Sequence, residues 1–229
     1  MPTLDVRGVN VNPLLTINYH SSRVPNSVQL RRLNEVVLLA REFSQRAERT
    51  LRRANTPPYD PEPIVRRILE SHFRFPSITN GSTINWRDNL DYIVPKFRLI
   101  SMGLSARITI SDAYSIYLSV GRQIKGYTIT KPGHVSGVAN PQFYGSIHMD
   151  FEVLKHERDK LMMVTMLIHE AAHKFCSMSD KRYRNAPGYS KLSFSDLKMN
   201  PDSYAFTALS IYKNQCITEI WGRPSGRKA

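Results

Sequence analysis

The sequence predicts an α+β fold, in which a helical N-terminal half precedes a small twisted sheet and a buried helix that packs against it. Apolar residues recur at three- and four-residue steps through residues 28–104, as on the buried faces of amphipathic helices. Apolar and polar residues then alternate over residues 107–110 and 146–151, as in half-buried strands. Residues 161–175 are apolar enough for a buried helix, and neither Gly nor Pro interrupts residues 153–183.

The length favours a single domain, because 229 residues can bury one full hydrophobic core. We expect an N-terminal arm over residues 1–27, a helical part over residues 28–104, the sheet and the last helices over residues 105–215, and a basic tail over residues 216–229. The sequence shows no internal repeat that would change this division.

Three helices are predicted in the N-terminal half. Before them, residues 1–27 contain three prolines among scattered apolar residues and are expected to form an extended arm or a short strand. The first helix spans Ser27–Ala54 and has an arginine-rich outer face. A proline-rich break separates it from a second helix over residues 62–73, and a third covers residues 84–102 with a kink at Pro95.

Four short β-prone runs follow these helices. Residues 107–110 and 146–151 alternate most clearly, and residues 114–120 and 127–130 are rich in β-branched and aromatic side chains. The run over residues 146–151 comes shortly before the buried helix. The sheet is therefore predicted to lie against that helix.

The buried helix carries three side chains that are expensive to bury without partners. His169 and His173 are one helical turn apart, so their imidazoles lie on one face and point at one spot. Glu170 is rotated by about 100° around the helix, and its carboxylate can reach a water molecule at that spot without being a ligand. This H-E-x-x-H arrangement is typical of zinc metallopeptidases, whereas the alternative is two core histidines that bond to backbone.

A catalytic zinc site needs a third protein ligand and one open position. Cys176 and Ser179 stand where the metzincin pattern has Gly and His, and the only later glutamate, Glu219, is close to the C-terminus. An aspartate is therefore the expected third ligand. The candidates that the residues leave open are Asp180, Asp196 and Asp202.

Three segments, taken in order, resemble the aspzincins, the family of deuterolysin and the peptidyl-Lys metalloendopeptidases. They are H-E-x-x-H at residues 169–173, D-x-x-Y at residues 180–183 and N-P-D-S-Y at residues 200–204. The family has H-E-x-x-H, then G-T-x-x-D-x-x-Y-G, then N-A-D-x-Y. The similarity covers residues 145–212, and its specificity lies in the order His, Glu, His, Asp, Tyr.

The resemblance implies a zincin-like fold and a Zn²⁺ ion held by His169, His173 and Asp180. Glu170 would be the general base and acid, and Tyr183 would hydrogen-bond the oxyanion of the tetrahedral intermediate. Together these roles imply a zinc-dependent endopeptidase that hydrolyses bonds of a protein or peptide substrate.

Asp202 has two expected roles. It matches an acidic residue in the substrate pocket of lysine-specific members, which implies a preference for Lys after the scissile bond, but Ala205 stands at the position three residues later. On the first turn of the C-terminal helix, Asp202 is also placed to cap that helix or to orient His169 or His173. Both roles keep it near the metal.

Four residues depart from the family pattern. Cys176 and Ser177 replace Gly-Thr, Arg184 replaces the final Gly, and Pro201 replaces Ala. Ser177 keeps a hydroxyl, and Pro is common at the first position of a helix. The two missing glycines affect the backbone path of the loop that carries Asp180, because glycine adopts conformations that other residues rarely take.

The strand before the H-E-x-x-H helix is expected to bind the substrate. In zinc peptidases the strand at that place is the sheet edge on which an extended peptide pairs by strand addition. Ile147 and Met149 are therefore candidate substrate-binding residues. His148, on the polar face of this strand, is a further candidate, with a solvated or core histidine as the alternative.

The composition is strongly basic, since 32 Lys and Arg against 19 Asp and Glu give a formal net charge of +13. Such a charge favours acidic partners, namely an acidic protein or inhibitor, an anionic membrane surface or nucleic acid. The Arg-rich first helix lacks interleaved aromatic residues, which argues against nucleic acid. No stretch approaches a membrane-spanning length, so no transmembrane segment is expected.

The N-terminus shows no charged segment followed by an apolar run, so no classical signal peptide is expected. With the high charge, this suggests a protein secreted through a specialised apparatus, as a bacterial effector or toxin; a cytoplasmic location is the alternative. Cys176 and Cys216 are the only cysteines. We expect two buried free thiols, with a disulfide between them as the alternative.

Two other functions fit the sequence. In the first, the altered turn holds Asp180 away from the histidines, and the protein is a catalytically inactive zincin-fold scaffold or binding module. In the second, the basic first helix makes it a nucleic-acid-associated protein. Bound metal without proteolysis would favour the first function, and tight, salt-sensitive DNA binding would favour the second.

Overall fold

One mixed sheet and six α-helices make up the fold of the computed structural model, which describes residues 6–58, 61–76, 83–112, 126–128, 146–151, 160–184 and 186–218. The α+β prediction is confirmed for this part of the chain. The sheet has five strands, in the spatial order β1-β2-β3-β5-β4. They are β1 (Val6–Asn12), β2 (Leu15–His20), β3 (Ile108–Asp112), β4 (Gly126–Thr128) and β5 (Ile147–Met149).

The three inner strands of the sheet are parallel to one another, and the outer strands β1 and β4 are antiparallel to their neighbours. Ile17 of β2 lies opposite Ile110 of β3, which in turn lies opposite Ile147 of β5. All three isoleucines are fully buried. The alternation seen in the sequence therefore turns one face of the sheet toward the core.

The segment that was expected to be an extended arm or a short strand forms a hairpin. β1 and β2 pair across a turn that contains Pro13, and β2 lies in the interior of the sheet. Leu15 and Ile17 are fully buried, and Leu15 pairs with Ile108 of β3. The N-terminal segment is thus part of the core.

The expectation that the strand before the H-E-x-x-H helix is a sheet edge is wrong. This strand is β5, and it pairs with β3 on one side and with β4 on the other. Both of its backbone edges are therefore occupied, and β4 is the strand at this end of the described sheet.

The three predicted N-terminal helices are confirmed as α1 (Ser27–Ala54), α2 (Pro63–Phe73) and α3 (Thr83–Ser105). The bounds of α1 agree with the prediction, because local signals define them: Asn26 and Gln29 form a capping box at its start. α3 extends to Ser105 and contains Pro95.

The second group of helices is α4 (Lys160–Cys176), α5 (Phe194–Leu197) and α6 (Pro201–Lys213). α4 is the H-E-x-x-H helix and packs against α1, α3 and α6 and against the β4–β5 end of the sheet. Gly103 allows α3 to approach closely, since a Cβ atom there would collide with the Phe175 ring. A helix surrounded in this way has few polar faces, which explains the apolar run in the sequence.

Both cysteines are free in the structure, as expected. Cys176 is buried, and burial raises the pKa of its thiol to about 12. Cys216 is only partly buried. The predicted strand over residues 114–120 and most of the basic tail lie outside the described residues. None of the helices in the described ranges is both long and apolar enough to cross a membrane.

Candidate metal centre

Helix α4 places two imidazoles at one point. The Nε2 atoms of His169 and His173 lie 3.1 Å apart. His169 is 7% exposed, and His173 is partly buried. The spacing of one helical turn brings the two rings together, as the sequence predicted.

Asp180 completes a triangle with these two nitrogens. Its Oδ1 lies 3.2 Å from the Nε2 of His169 and 3.3 Å from the Nε2 of His173. Zinc bound tetrahedrally at about 2.0–2.1 Å separates neighbouring ligand atoms by about 3.4 Å. The two nitrogens and one oxygen therefore fit Zn²⁺ in both chemistry and spacing. The Asp180 side chain is 37% exposed, which leaves one side of the triangle accessible to solvent.

The loop that follows α4 brings Asp180 to the histidines without the family's glycines. Cys176 is the last residue of α4, and Ser177 takes the left-handed conformation, with φ of 52°. Ser177 donates its N–H to the carbonyl of His173, and Ser179 donates its N–H to the carbonyl of Met199. A serine thus adopts the backbone conformation that usually favours glycine at the end of a helix.

The Nδ1 atoms of both histidines are hydrogen-bonded on the side away from Asp180. His169 Nδ1 is 2.7 Å from Oδ1 of Asp202, and His173 Nδ1 is 2.8 Å from the carbonyl oxygen of Met178. A carbonyl oxygen and an ionised carboxylate only accept hydrogen bonds, so both Nδ1 atoms carry a proton. The two Nε2 atoms are therefore the positions at which these histidines bind either a metal ion or a second proton.

Of the three candidate aspartates, only Asp180 lies with the Nε2 atoms of the two histidines. Asp202, on the first turn of α6, faces the opposite edge of His169, and its Oδ2 accepts the N–H of Arg184 at 2.6 Å. Asp196 is partly buried and forms the capping box of α5 with Ser193. Asp202 therefore orients a histidine, and Asp196 caps a helix.

The carboxylates around the histidines make the site attractive to a cation. Burial alone would lower the pKa of His169, but Asp180 and Asp202 outweigh it and raise this pKa to about 10. Burial is the largest single effect on His173 and opposes its protonation, but its pKa is still raised, because the hydrogen bonds to Asp180 and to the Met178 carbonyl and the charge of Glu170 together outweigh burial and the charge of His169. Burial opposes ionisation of Asp180, yet the two imidazoles hold its pKa well below the usual range. Either a proton or a metal ion satisfies this arrangement.

Glu170 and Tyr183 lie beside the triangle. Glu170 is 6% exposed, and its charge contributes to the raised pKa of both histidines. Tyr183 is 55% exposed and donates its hydroxyl to Oδ2 of Asp180 at 3.2 Å. Burial and the Asp180 carboxylate raise the pKa of Tyr183 to about 12, so the hydroxyl remains a hydrogen-bond donor.

The expected substrate-binding residues on β5 have no free backbone to offer. Ile147 and Met149 are fully buried, and their backbone pairs with the strands on both sides. His148 is half-buried, and burial, with the nearby Lys174, lowers its pKa. A peptide cannot add to the sheet at these residues without displacing β4.

Arg184 is a site residue that sequence reasoning missed. Its guanidinium donates to the carbonyl and hydroxyl of Ser71 and to the carbonyl of Thr218, and it lies 4.9 Å from the centre of the Tyr189 ring. With its N–H bonded to Asp202, Arg184 fixes the end of the loop that carries Asp180. The sequence marks Arg184 only as the residue that replaces the final Gly of the family pattern, and it gives no sign that the guanidinium bonds to Ser71 and Thr218.

No protein-family model matches the chain, and no curated protein matches it. The similarity to the aspzincins therefore depends on the ordered residues from His169 to Tyr204. The geometry adds one independent observation, which is that residues 11 positions apart converge on one point.

Proposed function

We propose that this protein is a zinc-dependent endopeptidase with an aspzincin-like site in a zincin-like fold. The observation that carries the proposal is the triangle of His169, His173 and Asp180, with Glu170 buried beside it. The donor set leaves room for a fourth position, which catalytic zinc sites keep open. The hydrogen bonds to both Nδ1 atoms support it further, because they preset the histidines for metal binding.

In this proposal each site residue has one task. Bound zinc would polarise the scissile carbonyl and acidify a water molecule. Glu170 accepts the proton of the attacking water and passes it to the leaving amine. Tyr183, whose exposed hydroxyl can turn away from Asp180, donates a hydrogen bond to the oxyanion. Asp202 and the carbonyl of Met178 keep the two imidazoles in place.

The substrate is proposed to bind along β4 instead of β5. β4 (Gly126–Thr128) is the last strand at this end of the described sheet, and it packs beside α4. An extended peptide that pairs with its outer edge would gain backbone hydrogen bonds near the metal centre. This places the substrate one strand further out than the sequence suggested.

The structure favours an orienting role for Asp202. Both of its oxygens accept hydrogen bonds within the protein, one from His169 and one from Arg184. The preference for Lys after the scissile bond stays a prediction from the resemblance, as does export as a bacterial effector or toxin.

The test compares wild type with Glu170→Gln, which preserves the size and most of the packing of the buried side chain. We expect one zinc per chain in both proteins, and cleavage of an unfolded protein substrate only by wild type. Zinc content is measured by mass spectrometry, and the cleaved bonds are identified by peptide sequencing. Zinc in both proteins without cleavage by either would instead support the inactive scaffold, and absence of zinc would contradict the proposed site.

A further inference from the structure

A basic groove lies between α1, α2 and the end of α6, and none of its lining residues belongs to the metal centre. Its volume is about 370 Å³, within the range of small-molecule sites. Arg46, Arg49 and Arg53 line it from one face of α1. The spacing of three and four residues brings their guanidinium groups to the same side of the helix.

The positive charge of this groove is poorly compensated. Glu62 is the only acidic residue among the lining residues that the structure describes. Across the described ranges, Arg49 and Arg53 form no ion pair with a carboxylate, and both are exposed. Arg46 lies 5.7 Å from the centre of the Tyr212 ring, which holds that guanidinium in place.

The remaining walls combine anion-binding and apolar features. The groove includes the first turn of α2, an 11-residue helix that starts with Pro63 and has no side-chain cap. The backbone N–H groups of such a turn favour an anion. Ile64 is the partly exposed isoleucine of the groove, and Ile68 and Ile211 lie buried behind its surface. A ligand that fits both features has a charged end and an apolar body.

We propose that this groove binds a small organic phosphate. The phosphate is held by Arg49, Arg53 and the start of α2, and the carbon part of the ligand lies against Ile64. Arginine suits this task because its planar guanidinium donates two hydrogen bonds to a phosphate. The limited volume of the groove favours a small molecule over a polynucleotide, which would need an extended surface.

The first experiment is calorimetric titration of the full-length protein with AMP, phenyl phosphate, inorganic phosphate and adenosine at fixed ionic strength. We expect saturable binding of one molecule of AMP or phenyl phosphate, and weaker binding of inorganic phosphate and of adenosine. Absence of saturable binding by both organic phosphates would overturn the proposal. Equal affinity for inorganic phosphate would also overturn it, because the apolar wall would then contribute nothing.

Matched variants locate the site. We expect Arg49→Ala and Arg53→Ala each to weaken AMP binding about tenfold, as for loss of a charge-assisted hydrogen bond. Arg52→Ala removes an equal charge from the same turn of α1 outside the groove and should leave affinity within about twofold. Circular dichroism melting checks that all variants fold. An equal loss in Arg52→Ala, or much tighter binding of a single-stranded oligonucleotide, would indicate a diffuse basic surface and overturn the proposal.

Discussion

The two halves of the candidate metal centre differ in how the fold holds them. His169, Glu170 and Asp202 lie on two packed helices and are 6–8% exposed. Asp180 and Tyr183 lie on the loop after α4 and are 37% and 55% exposed. The first three residues form the helix half of the site, and the other two form the loop half.

The helix half of the site is therefore positioned by core packing, whereas the loop half is positioned by a few hydrogen bonds. The helix half is set by the packing of α4 against α6, which involves many buried side chains. The loop half is held by single hydrogen bonds at Ser177, Ser179 and Arg184. Substitutions in the helix half should therefore change metal binding most, and substitutions that loosen the loop should change it less.

The largest effect is expected from the histidines themselves. His169→Ala or His173→Ala leaves only two protein ligands, so zinc retained after dialysis should fall from one per chain to none. His20→Ala, at the end of β2 and outside the cluster of His169, His173 and Asp180, is the matched control and should retain zinc. Full zinc content in either site variant, with the fold intact by circular dichroism, would contradict the proposed ligand set.

A smaller loss is expected when the orienting carboxylate is neutralised. Asp202→Asn keeps the shape of the side chain but removes the charge that holds His169, so zinc affinity should fall about 10- to 100-fold. Competition with a chromophoric chelator measures this change. Asp196→Asn serves as the control, because that residue caps α5 away from the site. If both variants bind zinc equally well, Asp202 does not orient the ligand.

The parts of the structure that the sequence predicted well are those that depend on neighbouring residues. The bounds of α1 follow from local periodicity and the cap at Asn26, and the pairing of His169 with His173 follows from the pitch of a helix. Asp180 needed the family resemblance as well, because the residues alone left three aspartates open. Its place could not be derived without knowing how the chain turns at Ser177.

The parts that the sequence did not predict depend on distant residues. The inner position of β5 results from pairing with β3 and β4, and no feature of residues 147–149 specifies those neighbours. Arg184 likewise acts through Ser71, 113 residues earlier in the chain. Strand pairing and hydrogen bonds between residues that are distant in sequence produce no local sequence pattern from which they could be predicted.

Loosening the loop should give a moderate effect. Arg184→Ala removes the hydrogen bonds to Ser71 and Thr218, so Asp180 and Tyr183 should be held less firmly. We expect zinc affinity to fall by about tenfold or less. The value of kcat should fall, and it should change by a larger factor than KM. Arg182→Ala is the control, since among the described residues its guanidinium donates to the carbonyl of Pro187, within the same loop. Equal kinetics in the two variants would show that the tether at Arg184 does not position the site.

The smallest and most gradual effect is on the stability of the metal-free protein. His169 has a pKa of about 10 in the folded protein, above the value near 6.5 expected for an unfolded chain. The folded state therefore binds the extra proton more tightly, and this stabilisation is fully present below pH 6.5 and is lost as pH rises toward 10. The free energy of unfolding, measured with urea after zinc removal, should fall between pH 6.5 and 9. His169→Gln should flatten this slope, because the helix half then lacks the group that takes up the proton. An unchanged slope in the variant would mean that other groups, and not the histidine held by Asp180 and Asp202, control the pH dependence.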